Sequence, residues 1–60
     1  MKKWVYCEQT KADAELLKVY LKQSGIYYEA SSCYNRIHFS IKATAEEVTA
    51  IDNWIDNNLI

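Results

Sequence analysis

The 60-residue chain has no proline and a single glycine, Gly25. These two residue types supply most sharp reversals and element breaks. A chain almost without them must run as regular elements joined by tight turns. It contains no linker, repeat or low-complexity segment. Its length allows one domain, spanning 1–60. A domain of this size buries only about 60% of the surface its unfolded chain exposes. The core must therefore be thin, and the two Trp, five Tyr and one Phe are more aromatic surface than it can enclose.

Residues Lys3–Glu8 are expected to form a strand, in which Val5 and Cys7 alternate with Trp4 and Tyr6. Thr10–Ser24 predicts a helix. Thr10 is its N-cap, and Asp13 sits in the first turn where a negative charge suits the dipole. Ala14, Leu17 and Leu21 form the buried stripe, with Leu16 and Tyr20 beside it. Gly25 stands at the left-handed cap position, and Ile26 follows as the hydrophobic closing contact. Ile26–Ser32 and Arg36–Lys42 predict two further strands. Cys33-Tyr34-Asn35 lies between them, with Asn35 able to take positive φ. In the last strand Ile37, Phe39 and Ile41 alternate with Arg36, His38, Ser40 and Lys42. Thr44–Ile60 predicts the second helix. It opens on a capping box, Thr44 with Glu47, and carries Val48, Ile51, Ile55 and Leu59 on one side with Trp54 flanking.

The order is β-α-β-β-α, an α+β domain. Its first three elements fit a split βαβ unit, with the third strand inserted antiparallel between the first two. This predicts a three-stranded antiparallel sheet of order 1-3-2 with two helices on one face. The expected core is Val5, Cys7, Ala14, Leu17, Leu21, Ile26, Tyr28, Ala30, Ile37, Phe39, Ile41, Val48, Ile51 and Ile55.

Two helices can cover only one side of such a sheet. Alternation then leaves Trp4, Tyr6, Tyr27, Glu29, Arg36, His38, Ser40 and Lys42 on the other. A wet sheet face is normally polar, and large exposed apolar patches commonly mark interaction sites. Trp4, Tyr6, Tyr27, Arg36, His38 and Lys42 are therefore the candidate partner-binding residues. Aromatic pairs also stabilise sheets that bind nothing, and Trp4 can shield the stems of Lys42 and Arg36. Exposed edges recruit strands, so a homodimer, by face or by edge, is among the expected partners. Asp52 and Asp56, with Asn53, Asn57 and Asn58, give the second helix an acidic, amide-rich outer side. It is a second candidate contact surface, although a solvated helix face accounts for it.

No enzyme is expected. His38 is the sole histidine and has no companions at metal-ligand spacing. Cys7 points to the core and Cys33 lies beside a turn without an activating neighbour. One glycine cannot build a phosphate-cradling loop. No metal or cofactor is called for. The net charge of −1 points to neither nucleic acid nor a nucleic-acid mimic as a general partner. No signal peptide or membrane span is read, which makes a cytoplasmic protein with two free thiols the expectation.

Val5-Tyr6, then Ala14-Glu15-Leu16-Leu17, Leu21 and Ser24-Gly25-Ile26, resemble a family of short bacterial domains described as signal-transducing proteins. In that family a strand leads into an A-E-L-type helix that ends in G-I before a second strand. The resemblance covers about the first half of the chain. It implies a ferredoxin-like half-fold and non-enzymatic regulatory binding, and supplies no catalytic residues. Two functions follow as expectations. The first is a protein-binding adaptor or inhibitor, of the kind a phage uses to modulate a host protein. The alternative is single-stranded nucleic-acid binding, with bases stacked on Trp4, Tyr6 and Tyr27 and phosphates met by Lys2, Lys3, Arg36 and Lys42.

Overall fold

The computed structural model describes Met1–Leu59; Ile60, the expected end of the second helix, lies outside the described residues. The elements are β1 (Lys3–Thr10), α1 (Lys11–Gln23), β2 (Tyr27–Cys33), β3 (Arg36–Ala43) and α2 (Ala45–Asn58). The sheet order is β1-β3-β2, and β3 pairs antiparallel with both neighbours. This is the expected split βαβ arrangement.

Local chemistry sets the boundaries. Thr10 Oγ1 accepts the Asp13 N–H at 3.2 Å and opens α1. At the other end Gly25 adopts φ +70°. The Ile26 N–H then reaches the Leu21 carbonyl at 3.0 Å, and the Gly25 N–H reaches that of Lys22 at 3.2 Å. This paired closure satisfies carbonyls that the helix end would otherwise leave open. The capping box of α2 is complete. The Glu47 N–H donates to Thr44 Oγ1 at 3.1 Å, and the Thr44 N–H donates to Glu47 Oε1 at 2.9 Å. The β2–β3 turn is tighter than expected. Cys33 is still in the ladder, opposite Arg36. Tyr34 and Asn35 alone make the reversal, both at positive φ, the pattern that matches strand twist in two-residue hairpins.

The core lies between the helices and one face of the sheet. Phe39, Leu17, Leu21 and Ile41 are its largest fully buried side chains. Phe39 sits on the central strand between Cys7 and Ala30; small neighbours on both sides leave its ring room under the helices. Ala14, Leu17 and Leu21 of α1 and Ile51 of α2 join this cluster, with Val48 and Ile55 packed against it. The helices also meet each other. Tyr20 and Trp54 stack with centroids 4.8 Å apart and planes 19° apart, a contact that neither helix's periodicity announces.

The core departs from expectation in two places. Ala30 is exposed; it is on the helix side of β2 but toward the hairpin turn, where the two-helix layer does not reach, and Ser32 beyond it is exposed as well. Ala43 is fully buried, because β3 runs one residue past Lys42 and the alternation turns that residue inward. Val5, Cys7, Tyr28, Ile37, Val48 and Ile55 are half-buried at the margins, as expected of a layer this thin.

Candidate functional site: the uncovered sheet face

Because opposite residues of an antiparallel pair share a face, the strand register places the uncovered side chains in rows. Trp4, Lys42 and Tyr27 form one row and Tyr6, Ser40 and Glu29 the next. Glu8, His38 and Ser31 follow, then Thr10, Arg36 and Cys33. All six candidate residues therefore share one surface, with neither helix over it.

The first row is a small roof. Trp4 and Tyr27 lie on the two outer strands, yet their rings meet edge to face at 6.0 Å. Lys42 stands between them in the row, and its Nζ lies 5.7 Å from the Trp4 ring centroid. Such contacts stabilise a site by about 0.5–1 kcal/mol when exposed. Part of Trp4 is thus engaged with Lys42, which stays exposed, and Arg36 lies at the far end of the face. The roof leaves 43% of Trp4 and 54% of Tyr27 exposed. The Tyr27 hydroxyl donates to Glu29 Oε2 at 2.7 Å. That hydrogen bond, and then the Glu29 charge, hold its phenol pKa above the ordinary value, so Tyr27 is a neutral donor throughout the physiological range.

Tyr6 occupies the middle of the face, 72% exposed and with no ring partner among the described residues. Beside it an open depression of about 430 Å³ is bordered by Glu8, His38 and Ser40. The far end is polar. Arg36 Nε donates to Glu8 Oε1 at 2.6 Å, and His38 Nε2 lies 3.7 Å from Glu8 Oε2. Glu8 is the residue that sequence reasoning missed as a hub. It stands opposite His38 and diagonal to Arg36, and only the strand register brings these three together. The pair is half-exposed, where such contacts contribute little to stability. Its consequence is on charge: Arg36 and Lys42 are balanced by Glu8 and Glu29, so the face carries no net fixed charge.

Among the described residues there is no group of three metal-ligating side chains, and no buried side-chain nitrogen or oxygen lacks a partner. Both cysteines are free. They lie on outer strands on opposite sides of the sheet, with β3 between them. Burial raises the Cys7 thiol pKa, the nearby Asp52 charge adds to this, and a hydrogen bond with Gln9 only partly offsets it. A thiol with a raised pKa holds less thiolate and reacts slowly. In a thiol-reagent assay on native protein, Cys33 is expected to react promptly and Cys7 at least about tenfold more slowly. Equal rates for Cys33→Ser and Cys7→Ser would contradict this. No helix among the described residues is long and apolar enough to cross a membrane. Compared with known protein families, with curated proteins and with solved structures, the chain matches none.

Proposed function

We propose that this chain is a small non-enzymatic regulatory module that binds a partner protein through its uncovered sheet face. The observation that supports this reading is the continuous display of Trp4, Tyr6 and Tyr27, each 43–72% exposed. Together they offer on the order of 300–400 Å² of ring surface, next to an open depression and rimmed by Arg36, His38 and Lys42. Aromatic and Arg side chains are the usual anchors of protein interfaces. The balanced charge of the face suits a protein surface of mixed charge better than a polyanion, whose binding depends on releasing counterions from an excess of cations.

A photo-cross-linking residue tests it, placed at Ser31 on the sheet face or at Asn57 on the outer side of α2, in cells that express the chain. The expected result is a discrete adduct from Ser31, none from Asn57, and loss of the Ser31 adduct with Trp4→Ala/Tyr6→Ala. An adduct from Asn57 alone would move the contact surface to the acidic, amide-rich helix. Tight binding of a labelled single-stranded oligonucleotide, falling steeply with salt, would replace the protein partner with nucleic acid.

A further inference from the structure

The edges of the sheet are not equivalent. β2 ends the sheet on one side with small exposed residues, Ala30, Ser31 and Ser32, and its one charged residue is Glu29. A second β2 paired about Glu29 would set carboxylate against carboxylate, and one paired along Ala30, Ser31 and Ser32 would bury little; the large residues Tyr27 and Tyr28 lie at the strand's other end. β1 ends it on the other side. It is eight residues long and pairs one-to-one with β3 from Lys3↔Ala43 to Thr10↔Arg36, without a bulge or a proline. Its outer edge therefore presents a straight row of unpaired backbone groups. Of the devices that normally protect such an edge, bulges and prolines are missing from β1, and its charged residues are Lys3, on the helix side at one end, and Glu8, paired with Arg36 on the uncovered side. Beneath this edge, between β1 and α2, runs an apolar crevice of about 60 Å³ lined by Val5, Cys7, Val48, Ile51 and Ile55, with Asp52 at its rim.

We infer that β1 pairs with β1 of a second copy, antiparallel about a two-fold axis, to make one six-stranded sheet with all four helices on the same side. A two-fold perpendicular to the sheet pairs residues of the same parity, so each side chain meets a neighbour on its own face. The register centred on Val5 fits the charges. It sets Val5 against its own copy over the joined crevices, and Trp4 beside Tyr6 of the copy on the uncovered face. It sets Lys3 opposite Cys7 of the copy, and Asp52 lies beside Cys7. Lys3 and Asp52 are on the helix side, and neither has an ion-pair partner among the described residues. Two symmetry-related Lys3–Asp52 contacts thus answer the repulsion that would otherwise arise where the two α2 flanks meet. The dimer doubles the width of the aromatic face and does not cover it, so it stands whether or not that face binds a partner.

Sedimentation equilibrium over a range of concentrations tests this, with circular dichroism as the check on folding. The native chain is expected to reach twice its 7.0 kDa mass. Lys3→Glu and Asp52→Lys, both at exposed positions, should each weaken the dimer about tenfold or more. The double swap Lys3→Glu/Asp52→Lys should restore it, and Tyr27→Ala on the far strand should leave it intact. Val5→Lys, which places like charges at the two-fold, should give a monomer; if it does not fold, the swap pair decides. A chain that stays monomeric at every concentration would overturn the inference and leave the partner-binding reading standing. A dimer dissolved by Tyr27→Ala and indifferent to both single swaps would overturn it in favour of face-to-face packing.

Discussion

Phe39→Ala is expected to leave the chain largely unfolded at room temperature. Phe39 is 1% exposed at the centre of β3, and its ring packs against Tyr28 with centroids 5.8 Å apart. Its row-mates Cys7 and Ala30 are too small to fill the space it would vacate. Truncating a buried Phe costs about 3–5 kcal/mol, counting both lost transfer energy and the cavity left behind. A single core in a domain below about 70–80 residues rarely supplies more than about 3–5 kcal/mol in total. The loss therefore matches the whole stability. Thermal denaturation followed by circular dichroism should show no cooperative transition. Ala30→Ser, on the same row but exposed, should change stability by no more than about 0.5 kcal/mol. A Phe39→Ala variant that melts cooperatively within a few degrees of the native chain would show that the fold is held elsewhere.

The second large effect separates binding from folding. Trp4→Ala/Tyr6→Ala is expected to reduce partner affinity by about 30-fold or more, the scale of aromatic anchors at interface centres. The same change should cost only about 1–2 kcal/mol of stability, since it removes one edge-to-face ring contact and one exposed cation–π contact. The two readouts are the yield of the Ser31 cross-link and the urea midpoint. If the aromatics serve only to stabilise the sheet, the pattern reverses, with the midpoint falling sharply and the adduct unchanged. Tyr6 makes the contrast sharp, because it has no ring partner within its own chain among the described residues.

The outer rows differ in how they would tolerate change. At the Trp4 end, Lys42 and Tyr27 support each other through the Trp4 ring, so the roof keeps its shape without a ligand. At the other end Glu8 accepts the Arg36 Nε–H, and His38 lies beside the pair. The face is therefore partly pre-ordered, which lowers the entropy cost of docking, while Tyr6 between the two ends stays free to adapt.

How much of this was legible in the chain depends on the range of the interaction. The elements were, because their signals are local: Thr10 and the Thr44–Glu47 box at helix starts, Gly25 at a helix end, and the two-residue period of Ile37, Phe39 and Ile41. Topology followed too, since the order β-α-β-β fits a split βαβ unit with the third strand between the first two. The six face residues were assigned together because alternation alone decides on which side of a strand each lies. Contacts that join distant parts of the chain were not legible. The Tyr20–Trp54 stack needs the helix spacing, the Glu8–Arg36–His38 cluster needs the β1–β3 register, and the exposure of Ala30 needs the limit of the helix layer. Periodicity thus chose the faces of each element. Which side chains meet, and where cover ends, was set by the packing of elements whose mutual placement no short stretch of residues encodes.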